Sequence, residues 1–207
     1  MRFGAIAVSA VYAAALYFSG IHLQSALKQL LAYAPSALAL LALAFDLWLW
    51  KLKGVHRLVG RPRVDGTWLG TIQPHPDSRI PADGNRGPIP AALVIEQTYW
   101  SMSVALLTAE STSTSLSAVV RADGDSRGRY VLAYTYRNAP GQEHRPRSSP
   151  HAGAALLQIA GPTPTALNGT YWTDRLTAGD LRLHRVDRRT DYATLADVPG
   201  AAEVAAP

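Results

Sequence analysis

Arg129-Tyr130-Val131-Leu132-Ala133-Tyr134-Thr135-Tyr136-Arg137 is the stretch that decides how the C-terminal two thirds of this chain fold. Tyr130, Leu132, Tyr134 and Tyr136 recur at a period of two, which places them on one side of an extended strand with one face buried. Asn138-Ala139-Pro140-Gly141 ends the run, and Asp123-Gly124-Asp125-Ser126-Arg127-Gly128 is a turn cluster in front of it. Before that turn, Thr114 to Arg121 sets Leu116, Ala118 and Val120 on one face. Earlier still, Trp100 to Thr108 alternates Trp100, Met102, Val104 and Leu106 with small polar residues. Ala92 to Thr98 and Gly66 to Ile72 are further candidate strands, separated by a proline- and glycine-rich loop. Downstream, His151 to Ile159, Ala166 to Thr173 and Gly179 to Arg185 complete a series of eight. No helical pattern interrupts them. Short strands joined by turn signals predict an antiparallel sheet, and closing it on itself removes the exposed edges. The expectation is a small antiparallel eight-stranded β-barrel over residues 64–188, whose interior holds side chains or one small ligand. Residues 189–207, ending in GAAEVAAP, have little to bury and are expected to be a disordered tail.

The N-terminal part has a different composition. Phe3 to Ile21 carries no formal charge over nineteen residues, and a second apolar run, Leu30 to Leu52, contains only Asp46 and Lys51. Nineteen helical residues rise ~28 Å, close to a hydrocarbon core of ~30 Å. The expectation is a two-helix transmembrane hairpin, spans about 3–21 and 30–52, within a first domain of residues 1–58. Lys51, Lys53, Arg57, Arg61 and Arg63 lie in thirteen residues without an acid. By the positive-inside rule, that cluster and Arg2 put both termini and the β domain in the cytoplasm of a two-pass inner-membrane protein. A cleaved signal peptide reads less well, because the apolar run continues past Ala13-Ala14-Ala15 into Leu16-Tyr17-Phe18 and a second one follows. A buried pair of helices would need a polar face that neither segment shows. Ser9 and Ala13 belong to a small-residue stripe suited to helix association. Asp46 either snorkels toward the nearby interface or packs between protomers.

The chemistry that is absent narrows the function. The chain has no cysteine among its 207 residues, so disulfides and thiolate chemistry are excluded. No phosphate loop, dinucleotide fingerprint, nucleophile elbow or HExxH motif is present. The six histidines are scattered without metal-ligand spacing, and Glu96 and Glu110 do not form an evident acid–base pair. No enzymatic activity, metal or cofactor is expected.

Aromatic and polar residues at strand ends are the remaining signal. Tyr134, Tyr136 and Asn138 share a face, His151 opens the next strand, and Tyr171, Thr173 and Arg175 run off the end of another. Trp68 and Trp100 begin two more. Rings stack on bases, Asn and Thr read base edges, and Arg or His holds phosphate. These nine residues are the candidate ligand contacts; alternatively the rings fill the barrel, and Arg175 is a solvated loop residue.

The order of motifs resembles a known family. Asp65-Gly66-Thr67-Trp68, Ile95-Glu96-Gln97-Thr98-Tyr99-Trp100, Tyr134-Thr135-Tyr136-Arg137-Asn138, His151-Ala152-Gly153 and Leu167-Asn168-Gly169-Thr170-Tyr171-Trp172-Thr173 follow an apolar hairpin and a basic stretch. This pattern is similar to CBASS antiphage effectors of the class with two transmembrane helices and a β-strand-rich cyclic-nucleotide-sensing domain. The resemblance implies that the barrel binds a cyclic di- or oligonucleotide made by a partner nucleotidyltransferase. It further implies that binding drives self-association of the transmembrane helices and disruption of the lipid bilayer. The rival functions are a membrane-tethered carrier of a small apolar ligand, which predicts a roomy hydrophobic cavity, and a structural docking module.

Overall fold

The computed structural model describes residues 10–15, 17–18, 25–82, 84–124, 128–146 and 148–205. The chain divides into two compact units, Met1–Val55 and His56–Pro207.

In the first unit, residues 10–15 are helical. A longer helix, α1, spans Ser25–Leu47 with Pro35 inside it, and a 3-10 turn, Leu49–Lys51, follows. The expected hairpin is corrected here: among the described residues no helix is long and apolar enough to cross a membrane. In α1 the described side chains are those of 33–47. The helix stops at Leu47, before the expected end at Leu52. Asp46 is only 1% exposed, so it does not snorkel toward solvent. The first expected span, 3–21, falls largely outside the described residues, and Ser9 with it. Ala13 lies in the helical stretch 10–15 and is half-buried.

In the second unit a single-turn helix, α2 (Val55–Leu58), leads to eight strands. These are β1 (Gly66–Pro74), β2 (Ile89–Gln97), β3 (Met102–Leu107), β4 (Ser111–Ala122), β5 (Arg129–Pro140), β6 (His151–Ala160), β7 (Ala166–Thr173) and β8 (Ala178–Asp187). They form a closed barrel in sequence order, each pairing antiparallel with the next and β8 closing on β1. All eight expected strands are present; β4 starts three residues earlier and β5 runs three residues longer than the sequence pattern implied.

The register defines two ends. At one end Pro74 pairs with Gly179, Ser111 with Pro140 and Asn138 with His151; at the other Gly66 pairs with Ile95 and Tyr130 with Ile159. The second end, the base, is packed shut by Trp68, Leu93, Ile95, Leu132, Leu157, Ile159 and Leu167. The chain entering the barrel adds a polar plug. Gln97 donates from Nε2 to the Pro62 carbonyl (3.0 Å) and accepts from the Val64 amide at Oε1 (2.9 Å). The Trp68 indole donates to the Val64 carbonyl at 2.9 Å, so this large ring is buried without an orphaned N–H. Gly66, at φ +125°, passes close to the Asp187 carbonyl just before the β1–β8 register shift between Thr67 and Trp68.

Strands β1 to β3 are buried on both faces, unlike the alternating β5 to β7. The cause is the C-terminal segment, which corrects the expectation of a disordered tail. Leu69, Ala92, Val94 and Leu107 project outward, and an uncovered apolar patch there would cost ~25 cal/mol per Å². Leu195, Val198 and Ala201 cover it, carried on a 3-10 turn (Leu195–Asp197) and a short helix, α3 (Ala201–Ala205). A capping box fixes the turn: Asp197 accepts from both the amide (2.9 Å) and the hydroxyl (2.7 Å) of Thr194. The apolar residues of the tail are too sparse for a recognisable pattern, yet they match the outer face of β1 to β3.

Candidate functional site

With the base packed shut, the interior of the described barrel opens at the other end. Its rim is formed by residues 75–82 and 84–88, the 108–110 turn, residues 141–146 and 148–150, and the 174–177 turn. A cavity of about 280 Å³ lies there, walled by Ile72, Ile89, Leu106 and Leu181 below and by polar side chains above. Seven of the nine candidate contacts line it: Tyr134, Tyr136, Asn138, His151, Tyr171, Thr173 and Arg175. Trp68 and Trp100 do not. Trp68 belongs to the base, and Trp100 is on the β2–β3 turn at that same end, 62% exposed.

Alternation along β5 brings Leu132, Tyr134, Tyr136 and Asn138 to the interior in ascending order. The Tyr134 and Tyr136 ring centroids are 5.8 Å apart, tilted at 43°. Burial raises both phenol pKa values, so each stays a neutral hydroxyl at physiological pH. Tyr171, on β7, is pushed up to about 12 by burial, with the Arg175 charge opposing the shift. Tyr136 has room for its ring because the opposing residue is Gly153: a Cβ there would lie 2.6 Å from the Tyr136 Cζ and hydroxyl oxygen.

Asn138 is the most constrained polar group. Its Nδ2 donates to Ser111 Oγ and to Ser113 Oγ, both at 2.9 Å, while Oδ1 is buried without a partner. His151, its cross-strand neighbour, has Nδ1 3.1 Å from the Ser149 carbonyl. A carbonyl only accepts, so Nδ1 carries the proton and Nε2 has the lone pair. Burial lowers the His151 pKa below the usual imidazole value, with the Arg175 charge acting in the same direction. The ring is therefore neutral near pH 7.

Arg175 caps the opening. Its Nη1 donates to Ser148 Oγ (3.1 Å) and the Ser149 carbonyl (3.3 Å), and its amide to Thr173 Oγ1 (3.3 Å). The hydroxyls of Thr173 and Thr177 bond each other at 2.7 Å beneath it. A guanidinium held at a cavity mouth by neutral partners retains its charge for an anionic group. The sequence pattern missed Ser111, Ser113, Thr177 and the rim residue Ser148. Ser111 and Ser113 precede the expected start of their strand, so only the β4–β5 register reveals them.

Among the described residues no group of histidine and acidic side chains has the geometry of a metal site. The cavity combines tyrosine rings, a fixed amide, a neutral imidazole and one cation. The lining is apolar below and carries polar groups toward the mouth, so it is not the uninterrupted apolar wall a lipid carrier needs.

Residues 59–185 match the family described as Cap15, cyclic dinucleotide receptor domain. The chain belongs to that family. It is also 24% identical over 157 residues to CD-NTase-associated protein 15 of Staphylococcus schleiferi, covering 76% of this chain and 79% of that protein. Membership in the Cap15 receptor family makes the chain a receptor and not an enzyme. It also corrects the expected effector class. The matched part is the receptor barrel, and the described residues hold no membrane-crossing helix. Membrane disruption by assembling transmembrane helices, a lipid-bilayer partner and a two-pass inner-membrane location therefore lose the element they required. The roles expected of Ser9, Ala13 and Asp46 in assembly presuppose the same hairpin, and Ser9 lies outside the described residues.

Proposed function

We propose that the barrel, residues 64–188, is the receptor for a cyclic dinucleotide supplied by a partner nucleotidyltransferase, and that the ligand enters the Asn138 end base first. The observation that carries this reading is the convergence of Tyr134, Tyr136, Asn138, His151, Tyr171, Thr173 and Arg175 on one cavity in a chain of the Cap15 cyclic dinucleotide receptor family. The tyrosines are suited to stacking on a base, a contact worth ~1–3 kcal/mol per base. Arg175 is placed for a phosphate of the ring. At about 280 Å³ the cavity is at the small end of ligand pockets, ~300–1,000 Å³, which fits one nucleobase with the phosphodiester ring left at the rim. The name of the staphylococcal relative, which associates it with a CD-NTase, supports a nucleotidyltransferase as the source of the ligand.

The test is calorimetric titration of the full chain with a panel of cyclic dinucleotides. Binding at a one-to-one ratio per barrel is expected, weakened at least about tenfold, ~1.4 kcal/mol, in Arg175→Ala. Absence of heat and of thermal shift with every member of the panel would overturn the reading.

A further inference from the structure

The cavity contains an asymmetry that bears on which base it accepts. Asn138 Oδ1 is buried with no donor. An amide is assigned one way or the other from its neighbours, and here the neighbours leave a single choice. The Thr108 hydroxyl is 3.0 Å from the Ser111 carbonyl, to which it must donate, since the carbonyl only accepts. Thr108 Oγ1 in turn accepts from the Ser111 amide at 3.0 Å. Its proton is then spent, so in the 3.1 Å contact between the two hydroxyls Ser111 is the donor. Ser111 Oγ, having given its proton to Thr108, can only accept from Asn138. The nitrogen of the Asn138 amide must therefore face the serines, and its oxygen is the group left over.

His151 stands beside it. The two residues are register partners on β5 and β6, which puts their Cβ atoms ~4.5–5.5 Å apart on one face. The Nδ1 proton of His151 is committed to Ser149, leaving Nε2 as a lone pair. Both residues line the cavity. Two acceptors side by side, with neither satisfied by the protein, are complementary to a ligand group with two hydrogens to give. A buried acceptor without a donor costs ~1–3 kcal/mol, so a ligand carbonyl placed there would leave three acceptors facing one another.

We propose that Asn138 Oδ1 and His151 Nε2 form an acceptor pair that selects a nucleobase bearing an exocyclic amino group and rejects its deaminated, carbonyl-bearing counterpart. Adenine, cytosine and guanine meet the requirement, whereas uracil and hypoxanthine do not. Ser111, Ser113 and Thr108 are positioning residues that hold the amide in its orientation. The proposal rests on the receptor reading above and specifies the base at the same site.

Deamination pairs test it without altering the protein. Cyclic di-CMP against cyclic di-UMP, and cyclic di-AMP against cyclic di-IMP, differ at the pyrimidine C4 or purine C6 amino group and in the ring nitrogen whose protonation follows it. The full chain is expected to bind the amino member of at least one pair about tenfold or more tightly than its partner. In Asn138→Ala, with folding checked by thermal melting, that ratio is expected to fall toward one. If both pairs bind with equal affinity, or the carbonyl member binds more tightly, the acceptor pair is overturned while the receptor reading stands. If no member of either pair binds, and cyclic di-GMP does not bind either, both are overturned together.

Discussion

The Arg185 guanidinium lies 5.2 Å above the Trp68 ring at the closed end of the barrel. The pair spans the β1–β8 seam, where Trp68 and Arg185 are register partners. One face of the indole is packed on Val64 and the core, and its N–H is held by the Val64 carbonyl. Arg185 covers the other face while Asp65, bonded to Arg63 at 2.9 Å and Arg188 at 3.4 Å, balances the local positive charge. The cation–π contact contributes ~0.5–2 kcal/mol, and the larger effect is that the base stays closed.

Removing the indole tests that role. Trp68→Ala is expected to cost ~3–5 kcal/mol and Trp68→Phe, which loses the bond to Val64, ~1–3 kcal/mol. Since Trp68 is at the opposite end from the cavity, Trp68→Phe should lower the melting temperature while ligand affinity, measured where the variant is folded, changes less than twofold. A large loss of affinity in a stable Trp68→Phe would show that the base communicates with the mouth.

Gly153→Ala probes the wall of the cavity directly. The added methyl would meet the Tyr136 ring and the Trp172 carbonyl at 2.6 Å, contacts that no real Cβ tolerates. Either the ring moves or the β6–β7 pairing does, at an overpacking cost of ~1–3 kcal/mol. Both stability in urea and ligand affinity are expected to fall. The double variant Gly153→Ala with Tyr136→Leu should recover stability but not affinity.

Much of this architecture is legible in the chain because period-two alternation is a local property. Arg129–Arg137 and Gly179–Arg185 announce their inward faces without help from the rest of the molecule. Eight such runs with no helix between them imply closure. The site is legible for the same reason: Tyr134, Tyr136 and Asn138 are two residues apart, and so are Tyr171, Thr173 and Arg175. What alignment along one strand cannot reveal is which end of the barrel a residue occupies. Trp68 and Trp100 look like mouth residues until the register assigns them to the base. The serines that orient Asn138 depend on pairing across β4 and β5. The tail is hidden for a third reason: Leu195, Val198 and Ala201 bury against the outside of β1 to β3, a face that alternation alone assigns to water. At the other terminus, runs of alanine and leucine are read as a membrane hairpin from hydropathy, span length and the basic cluster that follows, none of which fixes where a helix ends; the helix stops at Leu47.

The tail makes a separate prediction. Leu195 is 8% exposed and Val198 3%, both against Leu69, Val94 and Leu107. Leu195→Ala is expected to cost ~2–3 kcal/mol, toward the low end for a buried leucine because the site borders solvent. Truncation after Arg189 should cost more and uncover the outer face of β1 to β3, read as increased binding of a hydrophobic dye and a lower urea midpoint. If truncation changes neither, the segment does not stabilise the barrel.

The last prediction concerns pH and follows from the neutral His151. Its pKa is lowered in the folded protein, chiefly by burial, from an ordinary value near 6.5. Between the folded and unfolded values the unfolded chain binds more protons, so stability rises with pH. The contribution is complete above the unfolded value and is lost as the pH falls through it toward the folded one. Melting temperature should therefore decline from about pH 7 toward pH 5, and His151→Gln should flatten that part of the profile relative to the unaltered chain. Ligand affinity is expected to fall at lower pH, as the folded protein itself takes up the proton, because protonation turns the Nε2 lone pair into a donor and leaves Asn138 Oδ1 as the sole acceptor of the pair. A binding profile that stays level through the pH at which the His151 ring of the folded chain is seen by NMR to protonate would remove His151 from the recognition surface and leave its burial as a packing feature of β6.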